Sequence, residues 1–216
     1  MGEPRAILPQ DLQAPPPNES AVETLNGYLT KLASQAPVPG GGSAAMVTGA
    51  QACALVAMVA RICAQSPKYE AVRADAEALA ARADSLREKM LEGKTRDEQA
   101  FEAVVAAKGD KAAMQLALHH AATVPLEGAQ DALAALNLAS EAGAMNNKHL
   151  VSDVGCAAEF AYAALAACAY NVRINHKFMK DADAVAGQSA QLERCEREGA
   201  AQLARVREAV AAQFAP

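Results

Sequence analysis

No charged residue occurs between Ser43 and Ala60, and most of the positions there are alanine, glycine, valine, methionine or cysteine. A run this apolar, without alternation, predicts a helix buried on nearly every side. Pro37, Pro39 and then Gly40, Gly41 and Gly42 precede it, and Ser66-Pro67 breaks it. Ser43 is the expected N-cap, its hydroxyl accepting from a backbone N–H two or three residues on. The amino end is then bare, glycine-lined backbone, where unpaired N–H groups and the helix dipole favour an anion or a polar ligand group. The same glycines also suit a tight turn where helices cross, and the motif alone does not choose between the two. The run is long enough to cross a bilayer. Thr48 and Gln51 interrupt it, however, and aromatic anchors are absent from its ends, so a buried helix is expected.

The remaining periodicity is helical as well. Ser20-Ala21-Val22-Glu23 has the form of a capping box and predicts a helix to about Ala36, with Val22, Leu25, Leu29 and Leu32 as its apolar stripe. Lys68 to about Glu92 reads as an amphipathic helix with Gly93 as its stop. Thr95 to Glu98 forms another capping box, opening a helix to about Ala107. Gly109-Asp110 is a turn, with Asp110 capping a helix toward Ala142 that Pro125 should kink or split. A loop over 143–151 precedes Ser152, the expected cap of a second Ala-rich helix to about Phe178, and a charged helix covers roughly 183–213. No window alternates with period two, so the expected fold class is all-α: one helical domain over residues 20–216. Residues 1–19 hold five prolines and are expected to be an extended or disordered tail.

Composition sharpens this. Of the 216 residues 52% are hydrophobic but only 4% aromatic, so a closely packed alanine core is expected, with a partner subunit as a further source of burial. A net charge of −5 argues against a nucleic-acid surface held by bulk charge. Five cysteines without a CxxC look like small thiols in a reducing compartment. The first residues lack the basic start and apolar run of a signal peptide, and a cytoplasmic protein is expected.

Two places stand out for chemistry. Asp97 shares a helical face with Phe101 and Val104, and a carboxylate beside an apolar stripe costs stability unless partnered. A favourable place in the first turn of a helix is the alternative explanation. On the second Ala-rich helix Asp153, Phe160, Ala167, Asn171 and Asn175 fall on one stripe. Buried amides there need partners: they grip a ligand or tie a neighbouring helix's backbone. Asp153 and Asn171 are 18 residues apart, about 27 Å along a helix, so either one end is structural or a site is completed across a dimer. His119 and His120 diverge too far for a metal pair, and neither HExxH nor GxSxG occurs. Chemistry without a metal is the working expectation.

These pieces, in order, resemble the cyclodeaminase/cyclohydrolase family of folate enzymes. The matching stretches are Pro39 to Ala45, Lys68-Tyr69, Asp97 with Ala100-Phe101, Val124-Pro125-Leu126, Asn146 with Ser152-Asp153 and Gly155, and Asn171 to Asn175. The chain departs from the family's pattern at Asn146 to Val151, in a shorter segment after Ala107, and in its proline-rich start. The resemblance implies an all-α homodimer, no cofactor beyond a tetrahydrofolate substrate, and neither nucleic acid nor membrane as partner. With no transferase domain in these residues, it favours a cyclohydrolase that hydrates 5,10-methenyltetrahydrofolate to 10-formyltetrahydrofolate. A cyclodeaminase acting on 5-formiminotetrahydrofolate is second, and a non-catalytic helical dimer is the alternative of another class. The implied catalytic residues are Asp97, Asp153 and Lys68, with the choice of base open. The implied substrate-binding residues are Gly40, Gly41, Gly42, Ser43, Asn146, Ser152, Asn171 and Asn175. Arg173 falls to a subunit contact or the folate tail.

Overall fold

The computed structural model describes residues 23–214, so the proline-rich tail and Ser20 lie outside it. Among these residues six α-helices form an antiparallel bundle: α1 (Leu25–Leu32), α2 (Gly41–Gln65), α3 (Arg73–Ala106), α4 (Lys111–Ala144), α5 (Val151–His176) and α6 (Ala182–Phe214). A 3-10 segment, Pro67–Val72, joins α2 to α3, and no strand occurs among the described residues. The all-α expectation holds. The apolar run is α2, which packs against α3, α4 and α5. Both α2 and α5 are long and apolar enough to cross a membrane by length and composition; the most apolar window of α2 is 61% buried in the bundle and that of α5 only 39%.

Small residues let the helices approach. Met46 of α2 is 2% exposed and lies between Gly93 of α3 and Gly128 of α4. A Cβ at Gly93 would sit 3.2 Å from the Met46 sulfur, and one at Gly128 would overlap the Met46 methyl and lie 3.0 Å from Cys168 Sγ. This packing corrects the expectation of a helix stop at Gly93. The glycine is buried inside a continuous 34-residue α3, because the close approach of Met46 outweighs its poor helix propensity. The capping box at Thr95 is likewise helix interior.

Three caps also differ from expectation. α1 starts at Leu25 under Thr24, whose hydroxyl accepts from Gly27 N–H at 3.0 Å, and it ends at Leu32. Its buried residue is Tyr28, while Leu25 and Leu29 of the predicted stripe face outward. Gly40, not Ser43, caps α2, and Leu150, not Ser152, caps α5. Asp110 does cap α4, accepting from Ala112 N–H at 2.9 Å and Ala113 N–H at 3.0 Å. Four cysteines are buried and Cys156 is exposed.

Pro125 neither splits nor ends α4. Having no N–H, it deprives the Ala121 carbonyl, four residues earlier, of its helical donor. Asn175 of α5 supplies the substitute, its Nδ2 donating to Ala121 O at 2.9 Å and to Asn171 O at 2.8 Å. Of the two roles left open for Asn175, the tie to a neighbouring helix's backbone is the one these bonds make. Asn175→Ala should therefore lower unfolding free energy by about 1–2 kcal/mol. In a Pro125→Ala background, where the helical donor is restored, that cost should shrink. Urea denaturation of the four-member double-mutant cycle measures the difference, and equal costs in both backgrounds would refute the link.

Candidate functional site

The antiparallel order fixes which residues can meet. α2 begins where α3 nears its end and α5 approaches its own, so Gly40 to Ser43, Asp97, Asn171 and Asn175 gather at one end of the bundle. Lys68, Asn146, Ser152 and Asp153 collect at the other, beyond the carboxyl end of α2 and at the start of α5. The two groups are separated by nearly the full length of α2, about 35 Å.

At the first end, three amides of α2 have no partner within the helix, those of Gly41, Gly42 and Ser43, since Ala44 N–H already reaches Gly40 O at 3.0 Å. Asp97 lies directly against them. A Cβ at Gly42 would collide with the Asp97 carboxylate, so only glycine admits that side chain here. Asn171 lies beside Gly41, its Nδ2 3.6 Å from where a Cβ would stand, which is ordinary van der Waals contact. That Nδ2 donates to Ala167 O at 2.9 Å, which leaves Asn171 Oδ1 available for a donor. Burial pushes the Asp97 carboxyl up to about 6; a backbone hydrogen bond from Ser43 draws it down and the neighbouring charge of Glu98 raises it. A carboxyl titrating close to neutrality is suited to taking and returning a proton.

Ser43 itself is fully buried. Its hydroxyl donates to Glu98 Oε1 at 2.8 Å and lies 3.1 Å from the Tyr28 hydroxyl. Lys94 completes the group, 3.4 Å from Glu98 Oε1, 2.8 Å from Glu23 Oε2 and 5.0 Å above the Tyr28 ring. Sequence reasoning missed Glu98, Tyr28 and Lys94. Their polar atoms look like ordinary surface chemistry until distant segments bring them to Ser43.

At the far end, Lys68 is exposed, its Nζ 5.3 Å from the centre of the Tyr69 ring. Asn146 follows the last turn of α4 with φ of 56°, a left-handed conformation that asparagine tolerates better than most residues. With Lys148, Val154, Arg205 and Val206 it borders a cavity of about 330 Å³. Asp153 is half-buried in the first turn of α5 and Ser152 is exposed beside it. Arg173 is engaged within the same chain, its guanidinium donating to both Glu196 oxygens at 2.8 and 2.6 Å. No group of three or more His, Cys, Asp or Glu is placed to hold a metal among the described residues.

The profile of one family, formiminotransferase-cyclodeaminase, matches residues 24–194, a span that contains both ends of the bundle. The chain belongs to this family. Among curated relatives, the methenyltetrahydrofolate cyclohydrolase of Methylorubrum extorquens is 36% identical, over 74% of this chain and 82% of the relative. Among solved structures, the formiminotetrahydrofolate cyclodeaminase of Thermotoga maritima superposes with a TM-score of 0.85 at 29% identity, over 88% of this chain and 96% of that one. The formiminotransferase-cyclodeaminase match runs through all of α1 to α5 and ends inside α6.

Two tests follow. The Asp97 carboxyl, raised from 3.8 to about 6, binds a proton in the folded chain that the unfolded chain has released. Stability from this group is present at low pH and is lost as pH rises from about 4 through about 6, by on the order of 3 kcal/mol. Asp97→Asn should remove that loss, so its stability relative to the parent should improve between pH 4 and pH 7. A constant difference across that range, in urea midpoints, would contradict the assignment. Gly42→Ala should displace Asp97 and weaken the α2–α3 contact, lowering the melting temperature by several degrees. An unchanged melt would mean that the close approach at Gly42 is not needed.

Proposed function

We propose that this chain is a methenyltetrahydrofolate cyclohydrolase, hydrating 5,10-methenyltetrahydrofolate to 10-formyltetrahydrofolate without a metal. The observation that carries the reaction is Asp97: a carboxyl poised near neutrality, set against the open amides of α2 and beside the unengaged side-chain Oδ1 of Asn171. The methenyl carbon belongs to a cationic amidinium and is already electrophilic. Asp97 faces that cation, receives a proton from the attacking water and leaves a hydroxyl on the carbon. The carbon–N5 bond then opens as the hydroxyl proton passes to N5, and the oxygen becomes the formyl carbonyl. The Gly41 and Gly42 N–H groups suit the oxygen as charge develops on it.

The reading includes a second copy of the chain. Asp153 and Lys68 are too far from Asp97 within one protomer, and α2 and α5 leave an apolar outer face between the two ends: Met58, Ile62, Phe160, Tyr170 and Ile174 are all exposed. Pairing these faces about a two-fold axis would set the Asp97 end of one protomer against the Asp153 end of the other. A second reaction stays in view because the Thermotoga maritima structure, similar over nearly its whole length, is a cyclodeaminase. That enzyme's substrate differs at N5, and the same carboxyl would serve ring closure.

Decay of methenyltetrahydrofolate absorbance, run beside an assay with 5-formiminotetrahydrofolate, separates the two. Acceleration of the first is expected; acceleration of the second alone would reassign the chain, and neither would refute the proposal. Asp97→Asn and Asp153→Asn should each abolish turnover. Mixed and reassembled as dimers, they should regain about one quarter of parental activity, since half the dimers carry one intact shared site. No recovery would place Asp153 outside the site of Asp97.

A further inference from the structure

Asp97 and Glu98 are consecutive on α3, so their side chains leave the helix about 100° apart. They nevertheless converge on one residue. The Ser43 amide bonds the Asp97 carboxylate, and the Ser43 hydroxyl donates to Glu98 Oε1 at 2.8 Å. We propose that Glu98 is a positioning residue for the reaction at Asp97: by holding the buried Ser43 hydroxyl it fixes the head of α2, and with it the amides that face Asp97 and substrate. The inference rests on the reading of Asp97 as the reacting carboxyl.

The proton directions around Ser43 can be assigned. Its one O–H is given to Glu98, so at 3.1 Å from Tyr28 it can only accept, and the Tyr28 O–H is the donor. Burial pushes the Tyr28 phenol up, which keeps that proton in place. The chain Tyr28 → Ser43 → Glu98 is therefore polarised toward one carboxylate, and it links α1, α2 and α3 at a single buried oxygen. Lys94 steadies Glu98 from 3.4 Å while bonding Glu23 at 2.8 Å. One cation is thus shared between two carboxylates, and part of the Glu98 charge is still felt by Asp97.

The other groups facing Asp97 leave that role to Glu98. α2 brings no acidic residue in its first turn. α5 brings the amide of Asn171 and Cys168, whose thiol is pushed up to about 12 by burial and stays neutral. From α4 the charges on this side are Glu127, held by Arg96 of α3 at 2.6 Å, and Asp131, held by Lys89 at 2.6 Å. α1 brings only neutral Tyr28, with Glu23 before it already paired to Lys94 and Lys31.

The test compares Glu98→Gln, which keeps an oxygen to accept from Ser43 but removes the charge, with Glu98→Ala, which removes both. The Asp97 carboxyl is followed by its carbon-13 shift against pH in protein labelled at aspartate, with Asp97→Asn identifying the signal. In Glu98→Gln the midpoint should fall, the acid limb of the pH–rate profile should fall with it, and kcat should stay within a few-fold of the parent. In Glu98→Ala kcat should drop about ten- to a hundredfold with KM nearly unchanged. Parental midpoints and parental kcat in both variants would overturn the proposal. So would equal losses of kcat in the two variants with no movement of the midpoint, the pattern of a merely structural residue. If Glu98→Ala fails to fold, the midpoint in Glu98→Gln still decides. That titration needs no substrate: a shifted midpoint in a protein that turns over neither folate would refute the proposed reaction and still support the link between Glu98 and Asp97.

Discussion

A carboxylate pressed against helix amides is the contact on which the arrangement depends. It exists because Gly42 has no Cβ: with any side chain there, Asp97 and the head of α2 would exclude each other. The gain from hydrogen bonding and the helix dipole is opposed by loss of water around the charge, and burial wins, since the carboxyl holds its proton to about 6. A surface aspartate in the same helical position would be almost wholly ionised at that pH. The same glycine that opens the space therefore also sets the chemistry available in it.

The bundle around this contact is built from defects that cancel. Pro125 breaks the hydrogen-bond ladder of α4 at Ala121, and Asn175 repairs it from α5. Gly93 weakens α3 as an isolated helix, and Met46 fills the space it leaves. Each repair comes from another helix, so each fault becomes a point of attachment. Asn175 lies one turn beyond Asn171, and its repair of α4 also bonds the Asn171 carbonyl, which ties the far wall of the site to the same joint.

Much of this was legible in the residues. The uncharged run gave α2, the alanine stripe gave α5, and Asp97 beside an apolar face was marked by the cost of burying a charge. The separation of Asp153 from Asn171 followed from helical rise alone. What was not legible came from packing. Gly93, Thr95 and Ser152 carry local signals for ends and caps that a continuous helix overrides once neighbours cover it. Ser43 has the hydroxyl of a cap at the head of the apolar run, yet that hydroxyl is claimed by Glu98, 55 residues away. No local pattern could announce that pairing, nor the roles of Tyr28 and Lys94.

Met46, Gly93 and Gly128 occupy one shared volume contributed by three helices. The thioether is long and unbranched, and it fits only because the two facing positions are empty. None of the three can change size alone. Across relatives the positions should drift as a set, a bulkier residue at 93 or 128 accompanied by a shorter one at 46. Such covariation would record a steric agreement among helices and would carry no information about catalysis.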